Sequence, residues 1–345
     1  MRRVSEHNRS WPRRFLLLGL QVGALAVAVR WLVLPRLGDT GTVLRRIDDV
    51  SPWMLVLGTL LGVAALVAYA QVTRQLLPTA SRPRLRRAFG VVVSSVGVNR
   101  VAPLGAAVGT AVAFRLLSRE GVAQGDVAFA IAVQGVGSLV VLQLLLWPSM
   151  LAVIPVNEIS SGLASGLAIA GSSGAALLAL GAVLLWALVW RRDATTRVLL
   201  RLGGRLRIGE RRLRGAVDAV GARVDRLSAD RAAAIRAVGW AALNWLADAA
   251  SLWVFLITFG ADVSPLWVLV AFGVANLVSL VPITPGSLGV TETMLAIVLI
   301  GFGAAAAPVF LGVAAYRIVH YWLPIPGGAL AYMLLRVRRP SPVPA

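Results

Sequence analysis

The residues of this chain best placed to do chemistry sit where its apolar runs are broken. The most specific stretch is Val281-Pro282-Ile283-Thr284-Pro285-Gly286-Ser287-Leu288-Gly289-Val290-Thr291-Glu292. Its prolines remove backbone donors and its glycines loosen the helix, which leaves carbonyls and amides open to a ligand. A new helix starting near Leu288 would carry Glu292 about 6 Å along its axis, at about 1.5 Å rise per residue. Two readings stand side by side. One is a cytoplasmic loop with a solvated Glu. The other is a polar gate or headgroup contact inside a broken-helix site, of the kind discontinuous transporter helices build, with Pro282, Thr284, Pro285, Gly286, Gly289 and Glu292 as its contacts.

The first half offers a partial counterpart, in which Asn99, Arg100, Pro103, Gly105 and Gly109 interrupt an apolar run that ends at Arg115. One Gly/Pro-interrupted segment per half is the sequence pointer to a midplane site in an inverted repeat, although these two do not align residue for residue. Further polar groups lie in apolar spans. Asn244 and Asp248 share a helical face at i and i+4. Asn276 lies four residues before Leu280, and Tyr316 and Arg317 stand just before His320. An ionisable group near the bilayer centre costs about 2.5–3.5 kcal/mol, so these groups should face the bundle interior and pair. The expected pair is Asp248 with Arg317, leaving Glu292 for substrate; plain helix–helix hydrogen bonding is the alternative.

The elements that must hold these residues are membrane spans. The 345 residues are 58% apolar and 14% charged, with mean hydropathy +0.79, far from a soluble domain at about 25% charged. Apolar runs of about 18 residues or more recur, each able to cross a bilayer. They are Phe15–Leu34 (a retained span rather than a signal peptide), Trp53–Leu77, Val127–Trp147, Leu163–Trp190, Val238–Phe259, Leu266–Val281, Leu288–Ile300 and Ala305–Leu335. Phe89–Leu117 is too broken to face lipid and reads as a re-entrant or broken helix. A turn carrying Pro148, Pro155 and Glu158 separates the third and fourth spans.

The fold class expected is therefore all-α: one polytopic domain over 1–345 with about eight transmembrane helices plus the interrupted segment. Its first half is 1–190 and its second 237–345. Between them Arg191–Arg236 holds thirteen Arg and five acidic residues, with Leu and Val close to a 3.6-residue period. That pattern predicts a basic amphipathic helix on the membrane surface, with Asp230 capping the next span.

The net charge of +19 comes entirely from arginine and is spread in blocks between spans. Positive-inside topology then places both termini in the cytoplasm of a cell-membrane protein, and nucleic acid is not the expected partner. Cys is absent and His occurs only at His7 and His320, so no metal site or cofactor is expected. Without Lys no Walker loop can form, and no hydrolase elbow or zinc motif is visible.

The Pro282–Glu292 string resembles the signature of the lysylphosphatidylglycerol synthase transmembrane-region family of flippase-like membrane proteins. The Asn99–Arg115 segment followed by Gly121 resembles that family's first-half motif, and Asn244–Asp248 and Tyr316-Arg317 sit where it carries similar polar positions. Many relatives place an acid soon after the first-half glycines, where this chain has Thr110 and Ala111. The resemblance implies the flippase-like half alone, without the aminoacyl-transferase domain of bifunctional members. The function expected is translocation or binding of an anionic or aminoacylated phospholipid, with Arg100 and Arg115 on its phosphate and no catalytic residue. A non-transporting scaffold or regulator of a lipid or envelope enzyme is the alternative, with a homo-oligomer or that enzyme as partner. A weaker third option is a membrane enzyme using Glu292, Asp248 or His320.

Overall fold

The computed structural model describes residues 50–102, 105–154, 161–190, 221–225, 230–280 and 284–337. The expected first span and nearly all of the basic amphipathic segment lie outside them. Ten helices, besides a helical stretch at 221–225, occupy the described residues, with no strand among them. They are α1 Pro52–Leu76, α2 Leu85–Val101, α3 Gly105–Arg119, α4 Gln124–Val153 and α5 Ser161–Trp190. After these come α6 Arg231–Thr258, α7 Pro265–Val278, α8 Val290–Gly301, α9 Ala306–Arg317 and α10 Pro324–Val337. A π-helical turn, Ile318–Trp322, joins α9 to α10. The helix starts follow local rules: Pro52 opens α1, and Asp230 caps α6 by accepting from the Ala233 N–H at 2.8 Å, as expected.

Helices α1, α4, α6 and the continuous α9–α10 rod are long and apolar enough to cross a membrane. Helices α2 and α3, at 17 and 15 residues, extend only about 26 and 22 Å against a core of about 30 Å. They fold back on each other as an antiparallel hairpin. Ser95 donates to the Gly109 carbonyl at 2.8 Å, and Arg87 pairs with Glu120 at the open end. Gly105 and Gly109 are required by this approach, since a Cβ on Gly105 would lie 1.9 Å from the Asn99 carbonyl oxygen. The interruption read at 89–117 is thus a hairpin of two short helices.

The same is true of α7 and α8, where two full spans were expected. At 14 and 12 residues they reach only about 21 and 18 Å. They form a second hairpin, tied by Ser279 to Thr291 at 3.0 Å and by stacking of Trp267 on Phe302. Hydropathy alone registers such arms as spans, because it does not see that left-handed Gly286, Ser287 and Gly289 turn the chain back. A smaller correction concerns Pro148, which lies inside α4 rather than in a turn.

A repeat emerges from this order. Long helix, hairpin, long helix occurs once as α1, α2–α3, α4 and again as α6, α7–α8, α9–α10, with starts about 180 residues apart. Helices α1 and α6 run antiparallel: Asn244 donates to the Ala65 carbonyl and Ser251 to that of Gly58. Buried Gly58, Gly62, Ala65 and Ala68 form the small-residue stripe that lets the backbones approach, as membrane helix pairs require. Each hairpin's first arm lies on the other unit's last helix, Gly97 against Gly328 in one case and Gly273 against Leu146 in the other. The two units are therefore related as an inverted pair.

Candidate functional site

The two hairpin tips meet at the π turn. The i, i+4 spacing puts Tyr316 and His320 on one side of the α9 rod and Arg317 and Tyr321 on the next. The wider turn at 318–322 carries both sets past α6 and the tips; π turns of this kind are frequent at functional sites.

Tyr321 joins the tips. It is buried, and its hydroxyl donates to the Arg100 carbonyl at 2.8 Å, filling an acceptor left open at the end of α2. Its ring lies so close to Gly286 that a Cβ there would fall 2.7 Å from it. Both the Arg100 and Arg317 guanidiniums lie over this ring, at 5.4 and 5.0 Å from its centre, within cation–π range.

At the second tip Glu292 stands in the first turn of α8. One of its oxygens accepts from the Gly289 N–H at 2.9 Å, and the other accepts from Arg317 Nε at 2.5 Å. Arg317 is only 7% exposed and also reaches the Ser287 carbonyl. Thr284 closes the tip by donating to the Leu288 carbonyl. Helix end and guanidinium thus each give the carboxylate a donor.

Deeper along α6, Asp248 accepts from the Tyr316 hydroxyl at 2.8 Å and faces His320 Nδ1 at 2.9 Å. The Tyr316 and His320 rings stack at 4.2 Å. His320 Nε2 lies 2.8 Å from Ser251 Oγ. The expected Asp248–Arg317 pair is not what forms: Arg317 takes Glu292, Asp248 takes His320, and Glu292 is not left open. Arg317 directly follows Tyr316, and that one-residue step rotates the guanidinium away from α6 toward the second tip.

Arg100 has the least complete set of partners. Its Nη2 reaches the His320 carbonyl only at 3.5 Å, and its Nε is buried with no hydrogen-bond partner. Both carboxylates of the cluster are engaged elsewhere, so no carboxylate pairs with Arg100 among the described residues. A half-buried guanidinium whose Nε lacks an acceptor is an anion-binding element.

Other expected residues are placed elsewhere. Arg115 is exposed on α3, ten residues from Gly105 and so about 15 Å along the axis, and it does not join Arg100. Gly105 and Gly109 serve the hairpin's packing. Asn244 binds α1, the structural alternative, and Asn276 donates to Phe272 in its own helix. Pro103 and Pro282 lie outside the described residues. Sequence reasoning missed Tyr321 and Ser251, though each had a signal: Tyr321 lies four residues after Arg317, and Ser251 three after Asp248.

With this geometry in place, comparison with known proteins adds the family. The family model described as Lysylphosphatidylglycerol synthase TM region matches residues 16–328. No curated protein matches the chain. The chain belongs to the lysylphosphatidylglycerol synthase transmembrane-region family, and it is a multi-pass membrane protein of lipid metabolism or transport, in contact with membrane lipids.

Proposed function

We propose that this family member is a flippase-like lipid translocase of the cytoplasmic membrane that takes an anionic or aminoacylated phospholipid headgroup between its two hairpin tips. It acts without catalysing a covalent step. The observation that carries this reading is the half-buried Arg100 at the meeting of the tips, whose buried Nε has no partner. A lipid phosphate would give that guanidinium a paired, two-point acceptor. An aminoacyl ammonium would compete with Arg317 for Glu292.

The tails have a neighbouring path. An apolar groove of about 1000 Å³ runs between α5 and the second hairpin, lined among others by Gly166, Ala170, Leu277, Leu280, Ile297 and Gly301. Leu280 lies at the hairpin's tip, so a head between the tips and tails in the groove would be continuous. The basic residues Arg82, Arg84, Arg86 and Arg87 stand at the open end of the first hairpin. Positive-inside bias then has that hairpin enter from the cytoplasm and, by the inverted repeat, the second from outside, with both termini cytoplasmic.

Reconstitution into liposomes with fluorescent phosphatidylglycerol and lysylphosphatidylglycerol tests the reading. The chain should equilibrate these lipids across the bilayer well above the empty-liposome rate, and Arg100→Gln should abolish the gain. Wild-type rates equal to empty liposomes for both lipids would overturn it.

A further inference from the structure

The cluster of Asp248, His320 and Ser251 has a use that headgroup binding leaves unassigned. Its composition is that of an acyl-transfer triad, but its geometry is not. Ser251 is fully buried, and its hydroxyl donates to the Gly58 carbonyl at 2.6 Å. A hydroxyl has one proton, so that proton is not available to His320, and the base–nucleophile bond of a triad is missing.

The same count fixes the protons on the imidazole. Because the Ser251 proton points at Gly58, His320 Nε2 must donate to Ser251 Oγ across their 2.8 Å contact. On the other side Nδ1 lies 2.9 Å from Asp248 Oδ1, which already accepts from Tyr316. One proton lies in that contact, on Nδ1 or on the carboxylate. With Nε2–H, the Asp248–His320 pair therefore holds one proton more than an ionised carboxylate beside a neutral imidazole. The shared proton belongs to the pair.

Removing that proton has a defined structural consequence. With Asp248 ionised, Nδ1–H faces the carboxylate and Nε2 becomes an acceptor. It then needs the one donor in reach among the described residues, the Ser251 hydroxyl, which must leave Gly58. That hydroxyl is one of the bonds joining α6 to α1, and α1 is so close here that a Cβ on Gly62 would fall 2.6 Å from His320 Nε2. The contact between α1 and α6 is the seam between the two inverted units, where alternating access by rocking would act.

We propose that the Asp248–His320 pair is a coupling-proton site. Its proton fastens Ser251 across the α1–α6 seam and is bound together with the anion at Arg100. The second half of the statement rests on the translocase reading; the first does not. Charges facing the pair from the packed elements set the sign. Arg100 comes from α2, Arg317 and Tyr316 from α9, Tyr321 from the π turn, and Glu292 from α8 through Arg317; α1 presents Gly58 and Gly62. Together with Arg100, Arg317 and Glu292, the protonated pair leaves the cluster one positive charge in excess. Deprotonation makes it neutral. An anion therefore binds more tightly to the protonated site, and by reciprocity its binding holds the proton. Anion affinity falls as pH rises through the pair's titration.

The chain carries two histidines, so His7→Asn leaves His320 as the sole imidazole in the full-length protein. Nitrogen-15 spectra of that protein, labelled on histidine and held in nanodiscs, should show Nε2 protonated at the acid end of a titration from about pH 5 to 9 and Nε2 bare, with Nδ1 protonated, at the alkaline end. Replacing phosphatidylcholine with phosphatidylglycerol should raise the midpoint by roughly 0.7 of a unit or more, the low end of a usual coupling factor of about five. An imidazole fixed in one form across the range overturns the proton site. A midpoint indifferent to phosphatidylglycerol overturns the coupling. Wild-type failure in the liposome assay would instead strike the translocase reading and leave the titration standing.

Discussion

The two hairpins share a scaffold and differ in what their tips offer. The first is built on backbone proximity: Gly105 and Gly109 press against Asn99 and Ser95, and its tip presents Arg100, whose Nε has no partner. The second has shorter arms tied by hydroxyls, and its tip carries a closed ion pair, Glu292 with Arg317, capped on Gly289. Charge at the second tip is committed to holding the fold; charge at the first is available to a ligand. The lesson is that an inverted repeat can keep its geometry while dividing structure and binding between its halves.

Substitutions that close or open each tip sharpen this contrast. Gly105→Leu should have the largest effect, because its Cβ alone would collide with the Asn99 backbone. Thermal unfolding in detergent should register a loss of about 3 kcal/mol or more, or no folded protein. Arg317→Gln should come next at about 3 kcal/mol, by leaving Glu292 partly buried without its cation; pairing it with Glu292→Gln should recover most of that loss. A double variant no more stable than Arg317→Gln alone would remove the structural role given to the second tip. Gly289→Ala should lose about 1 kcal/mol through its φ of 82° alone, since no atom lies within 4 Å of the added Cβ. Asn244→Ala, at the seam, should lose only about 0.6 kcal/mol, the mean for such bonds between membrane helices. Arg100→Gln belongs to the other side of the comparison and should leave the unfolding temperature within error of wild type.

Much of this was legible in the sequence. The helix starts at Pro52 and Asp230, the break at 89–117 and the identity of both interrupted segments followed from proline, glycine and capping chemistry. The second hairpin was not legible as a hairpin, because apolar content registers composition and not length between turns. The partners of Arg317 and Asp248 were also out of reach. They depend on the rotation of a π turn, and a one-residue step decides which neighbour each side chain meets. Arg115 was expected at the site because it closes the interrupted run, yet ten helical residues carry it well away from the tip.

The central claim is that the two tips meet. The chain has no native cysteine, so Ala102→Cys with Thr284→Cys places one thiol on each tip in an otherwise unreactive protein. A short bifunctional maleimide applied to vesicles holding this variant should join the pair, as it should a control pair, Arg87→Cys with Glu120→Cys, at the base of the first hairpin. Cross-linking of the control with none between the tips would contradict the account.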